Sequence, residues 1–142
     1  MKSWKSTFLV ICVIASALHF RPQSQKTTPE QEVLPNGAIV KISLPGQLSE
    51  MALQGERLFT VNCASCHGQN AVGRIGIAPP LVHKIYEPSH HGDESFQLAV
   101  ARGIRAHHWK FGSMPPIEGL TRENVANITR YIRELQKANN IF

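Results

Sequence analysis

Several things are scarce in this chain, and each scarcity excludes a class. No apolar run reaches about 18 residues, which argues against a conventional membrane-spanning helix. Three cysteines are too few for a disulfide-rich scaffold, and too few for an iron–sulfur site held by four thiolates. Charged residues make up 18% of the chain. From Glu50 to Phe142 ten Lys or Arg face eight Asp or Glu, a net of +2, so much of the formal +5 lies before Glu50. That segment has no basic stripe, which excludes a nucleic-acid surface. With 142 residues and 42% hydrophobic content, the chain holds one small packed domain plus flanking segments.

What is present begins with an address. Lys2 and Lys5 precede an unbroken apolar run from Phe8 to Ala15, and Ala15-Ser16-Ala17 offers small residues where an export peptidase reads them. Residues 1–20 are expected to be a secretory signal, or a retained N-terminal membrane anchor extended through His19, Phe20 and Arg21; a buried N-terminal helix is the third option. Ile11 is not the small residue that a lipid-anchored cysteine needs before it, so Cys12 counts as an apolar leader residue. Residues 21–48 read as a linker. Pro22 and Pro29 fall in a polar stretch, and a short β-like run at residues 38–42 sits between the turns Pro35-Asn36-Gly37 and Pro45-Gly46. That run is too short for a domain, and is expected to pack on the domain or hang off it.

The chemistry concentrates at Cys63-Ala64-Ser65-Cys66-His67. Cys-x-x-Cys-His is the attachment signature of c-type haem. Two cysteines three apart at a helix end lie on one side of the chain, where their sulfurs can add to the two vinyl groups of one porphyrin. The adjoining histidine then falls under the iron as an imidazole ligand. Small Ala64 and Ser65 let the backbone lie close to the ring. Three other uses of these residues compete: a Cys-x-x-Cys redox pair, though no thioredoxin-like βαβ context is visible; a zinc site completed by two of the seven histidines; and a strained small-loop disulfide.

Periodicity brackets this motif with helices. Ser49 suits an N-cap and Glu50 a first turn, and Gly55 and Phe59 share a face four residues apart. Near the end, Thr121 is a reasonable cap. Val125, Ile128, Tyr131, Ile132 and Leu135 recur at three- and four-residue steps through a helix from Arg122 to about Lys137.

On these features, residues 49–142 resemble a class I cytochrome c of the exported bacterial kind. The resemblance implies an all-α fold, with three main helices and short helical turns around one covalent haem c. It implies a glycine–aromatic crossing of the first and last helices, with Tyr131 facing Gly55. Met114, in Gly112-Ser113-Met114-Pro115-Pro116, looks like the second axial ligand beside His67, with His107 and His108 as rivals. A proline carbonyl in Ala78-Pro79-Pro80-Leu81 would accept from the haem histidine. Pro79 matches best, although Ala78 stands where the family usually has glycine. Leu81 would pack on the ring. Trp109 would donate to a haem propionate or simply pack in the core. Arg105 or Lys110 would neutralise propionates or remain solvated charges.

The implied function is one-electron transfer in the periplasm between transient redox-protein partners, a donor and an acceptor, with a membrane oxidase or dehydrogenase among the candidates. Six-coordinate iron would leave no open position, so the chain is read as a carrier and not as an enzyme. Two alternatives stay open: a haem subunit within a dehydrogenase or oxidase complex, and a small-ligand enzyme or sensor with a labile methionine.

Class I cytochromes do not need His83, His90, His91, His107 or His108. A helix is expected from about Glu94 to Ala106, closed by His107 and His108, whose ring donors suit terminal carbonyls. Imidazole also suits copper and zinc, so a second metal held by these histidines is the competing expectation.

Overall fold

The computed structural model describes residues 34–142. The expected signal or anchor at residues 1–20 lies outside the described residues. Among those described, the chain forms four α-helices and no strand: α1 (Glu50–Asn62), α2 (Ala64–His67), α3 (Asp93–Arg102) and α4 (Arg122–Ala138), with three short 3-10 turns between or before them. None of these helices is long and apolar enough to cross a membrane.

Local chemistry sets both ends of the long helices. The Ser49 hydroxyl accepts from the Ala52 N–H and opens α1. Thr121 opens α4 with a reciprocal capping box: its hydroxyl accepts from the Asn124 N–H at 3.1 Å, and the Asn124 side chain accepts from the Thr121 N–H at 3.0 Å. Glu134 then ties the two helices together, its carboxylate accepting from Ser49 N–H at 3.0 Å and Ser49 Oγ at 2.7 Å.

The core lies where α1 crosses α4. Phe59, Ile128, Tyr131, Ile132 and Leu135 are buried there, each side chain contributing roughly 2 kcal/mol of apolar burial. The crossing is close because Gly55 has no side chain. A Cβ at that position would collide with the backbone carbonyl of Asn127. Gly55 therefore meets Asn127, not Tyr131 as expected. Tyr131 packs one turn further on, against Phe59 with ring centroids 5.7 Å apart, and donates its hydroxyl to Asn70 Oδ1 at 3.0 Å. The displacement follows from helical spacing: a glycine admits the facing backbone, so the aromatic must sit a turn away to clear it.

The described part of the expected linker is held against the helices. Ile39 and Val40 donate to the Val72 carbonyl, Ser43 and Asn139 exchange hydrogen bonds, and Ile42 packs against the core. The run at residues 38–42 bends at Ile39 and does not pair as a strand.

Helix α3 is shorter than expected. It stops at Arg102, because Gly103 takes a left-handed φ of +73°. His107 and His108 accordingly lie in the segment beyond the helix and do not close it.

Candidate functional site

All four helices border one cavity of about 240 Å³ lined mainly by apolar side chains. Phe59 and Asn62 come from α1, Cys66 and His67 from α2, Phe96 and Val100 from α3, and Ile128 and Ile132 from α4. Cys63, Pro79, Trp109 and Met114 border it as well. The six residues singled out from the sequence, Cys63, Cys66, His67, Pro79, Trp109 and Met114, thus share one cavity, although they are spread over fifty positions of chain.

The Cys63–His67 segment turns sharply onto this cavity. Cys63 ends α1, and α2 restarts at once as a single turn in which the His67 N–H bonds to the Cys63 carbonyl at 2.9 Å. Cys63 and Cys66 are both unpaired thiols. Burial, helped by the neighbouring Cys66, pushes the Cys63 thiol up to about 11. A redox-active Cys-x-x-Cys needs the opposite shift, toward a stabilised thiolate. A zinc site is not assembled here either. Among the described residues the one group with metal-ligand atoms close together is His90, His91 and His108, which includes neither cysteine.

His67 has its ring fixed from behind. Its Nδ1–H donates to the Pro79 carbonyl at 2.9 Å, which leaves the Nε2 lone pair as the free ligand position. Burial lowers the His67 pKa and the bond to Pro79 works against that shift, so the net environment favours the neutral imidazole that a metal requires. Pro79, and not Pro80, makes the contact, so Ala78 in place of glycine does not displace the carbonyl.

Met114 is held by backbone. It forms an antiparallel bridge with Ile104, each N–H donating to the other's carbonyl at 2.9 Å. Gly103 makes the approach possible, because a Cβ there would stand 2.5 Å from the Met114 carbonyl oxygen. Its positive φ and its contact with the Met114 loop make Gly103 a positioning residue that sequence reasoning missed. The visible signal was a lone glycine between a helical pattern and the Met114 loop.

Trp109 lies against Phe111 with rings 11° from parallel and against the edge of His83. Its Nε1–H is buried without a hydrogen-bond partner. Burial pushes the Tyr86 phenol up and the nearby indole N–H offsets part of that shift, yet the two groups fall short of hydrogen-bond geometry. A buried, unanswered N–H on the wall of an apolar cavity fits a ligand that brings an acceptor. Arg105 and Lys110 are both exposed. Leu81, expected against the ring, borders the cavity.

The floor of the site is braced by two α4 side chains that the sequence did not mark. Gln136, wholly buried, donates to the carbonyls of Leu81 at 2.8 Å and Tyr86 at 3.0 Å. Arg133 reaches the Tyr86 and His91 carbonyls and pairs with Asp93 at 2.9 Å. A polar residue on the apolar face of α4 was the available signal, since such a group must find partners when buried.

The histidines divide. His90, His91, His107 and His108 lie together, with His107–His108 centroids 4.2 Å and His91–His108 centroids 5.3 Å apart. His83 stands apart, accepting from the Ile85 N–H through Nδ1 and touching Trp109.

The helix crossing, the Cys63–His67 turn and the Met114 loop all fall within residues 52–136, and over those residues the chain matches the family model described as cytochrome c. A relative, the Cbb3-type cytochrome c oxidase subunit CcoP of Rubrivivax gelatinosus, is 36% identical over 86 residues, or 59% of this chain and 26% of that protein. The chain thus spans about a quarter of the length of that relative. The family match extends over more than half the sequence and encloses the whole cavity wall built from α1, α2, α3 and α4, which makes this chain a member of the cytochrome c family.

Proposed function

We propose that the chain is an electron carrier that holds one covalent haem c in the cavity and passes single electrons between redox partners outside the cytoplasm. The observation that carries this reading is that His67 and Met114 border the same apolar cavity as Cys63 and Cys66, with His67 Nε2 left free by the Pro79 bond. A haem bound there would supply a one-electron iron couple. The chain's own residues do the rest. Cys63 and Cys66 would attach the group through thioethers. His67 and Met114 would hold the iron, and a thioether paired with an imidazole favours the ferrous state relative to two imidazoles. Pro79 fixes the imidazole tautomer, and Trp109 Nε1 offers a donor to a propionate. The apolar walls exclude water, which keeps solvent reorganisation small.

The test is an absorption spectrum of protein matured in an exporting host with haem-attachment machinery. We expect haem that resists acid–acetone extraction, an iron–methionine charge-transfer band in the oxidised form, and no carbon monoxide binding by the reduced form. Met114→Ala should abolish the band and admit carbon monoxide. A protein that holds no haem would overturn the reading. A wild type that binds carbon monoxide readily would convert it to a small-ligand enzyme or sensor.

The relative is named as a subunit of an oxidase. That favours, as a second reading, a haem-bearing subunit or close partner of a membrane oxidase. Export through residues 1–20 suits either. Co-purification from native membranes with an oxidase complex would support the second, and a wholly soluble holoprotein the first.

A further inference from the structure

We propose that His90, His91 and His108 form a second metal site, taking one divalent ion of the copper or zinc class through three imidazole nitrogens. Their ligand atoms already lie within 4.8 Å of one another. Two nitrogens 2.0–2.1 Å from a shared ion at a tetrahedral angle stand about 3.3 Å apart, so closure needs a contraction of only about 1.5 Å. His90 and His108 are exposed, and their side chains are free to supply it.

The chain path explains why residues so far apart in sequence meet. His90 and His91 come just before α3, whose 10 residues rise about 15 Å. Residues 103–108 then run back, and six extended residues span about 20 Å. The returning segment, pinned by the Ile104–Met114 bridge, brings His108 to the start of α3.

One of the three rings is also held as a ligand would be. His91 Nδ1–H donates to the Ile85 carbonyl at 2.6 Å, leaving Nε2 bare. His107 Nδ1–H donates to the Arg105 carbonyl at 2.9 Å, and its ring stacks 26° from parallel beside His91 as a fourth imidazole near the site. Backbone carbonyls behind the far nitrogen are the usual outer support of a metal-bound histidine. No carboxylate or thiolate joins the group, which disfavours calcium or magnesium and favours the borderline ions that imidazole binds. Copper(II) should bind more tightly than zinc(II). An ion here would clip the loop before α3 to the segment after it, and both border the cavity.

The ligands include neither cysteine, nor His67, nor Met114. The experiment uses tag-free, chelator-stripped holoprotein titrated separately with zinc(II) and copper(II), followed by calorimetry and by metal analysis after gel filtration. We expect one ion beyond the haem iron, and a rise in Tm on loading. Outer partners alone are worth roughly 10–100-fold in affinity, so His90→Ala and His108→Ala should each weaken binding by at least about tenfold. His83→Ala should leave it unchanged. The His90 backbone N–H bonds to the Glu87 carbonyl, which alanine preserves; an unaltered haem spectrum would confirm that both variants fold. Absence of a second ion, binding that survives in the His90→Ala/His108→Ala double variant, or a changed haem spectrum showing that these histidines bind the iron, would each overturn the proposal.

Discussion

The α1–α4 crossing and the segment from His83 to Pro116 solve opposite problems. At the crossing, two long helices meet through Gly55 and bury an apolar core. In the later segment, α3 is the one regular helix of any length, and loops bring Trp109, Met114, His91, His107 and His108 to the cavity. The first region is held mainly by helix-on-helix packing, with Phe59, Ile128 and Ile132 also reaching the cavity. The second is shaped around something it must receive: it leaves a buried indole N–H unanswered and a methionine held by backbone at a cavity wall. The crossing carries most of the apolar burial and the later segment carries Trp109 and Met114, so substitutions should separate the two.

The largest expected effect is at the crossing. Gly55→Val forces a side chain into the Asn127 carbonyl and should cost about 3 kcal/mol or more, measured by denaturant unfolding of the holoprotein. Next comes Gly103→Ala, which places a Cβ against the Met114 carbonyl in left-handed backbone and should cost about 1–3 kcal/mol. Its distinguishing mark is weakening of the iron–methionine band, which Gly55→Val should affect only through unfolding. Tyr131→Phe removes the hydroxyl that reaches Asn70 and should cost about 1 kcal/mol, with the spectrum unchanged.

The smallest effect is electrostatic. Burial raises the Glu134 pKa, but the Ser49 hydrogen bonds and Arg130 outweigh it and hold the carboxyl below its ordinary 4.5. The stabilisation is therefore present above pH 4.5 and is lost as pH falls through the lowered folded value. Glu134→Gln should lose this contribution at neutral pH, and stability curves for variant and wild type should converge in acid.

Much of this was legible from residues alone. Cys63, Cys66 and His67 are read by spacing, since attachment to one ring demands neighbours in sequence. The 3.6-residue period of α4 placed Val125, Ile128, Ile132 and Leu135 inward. The proline contact behind His67 came from resemblance and fell on Pro79. The end of α3 was misjudged because the apolar pattern carries past Gly103 in Ile104, and only the backbone geometry shows the helix stopping there. Tyr131 was set against Gly55, because sequence gives a helix face but not the register of two helices sliding past each other.

The sequence by itself determined the attachment motif and the two long helices, because each depends on residues within a few positions of one another. Met114 is the sole methionine after His67, so the sequence offered one thioether candidate there. Only the tertiary structure decided that Trp109 loses its hydrogen-bond partners, that Gln136 and Arg133 brace the cavity floor, and that His108 returns to His90 and His91 while His83 does not. The physical reason is that these contacts join segments separated by a helix and its return. Their geometry depends on where α3 stops and how closely α1 and α4 approach, which no local pattern of residue types encodes.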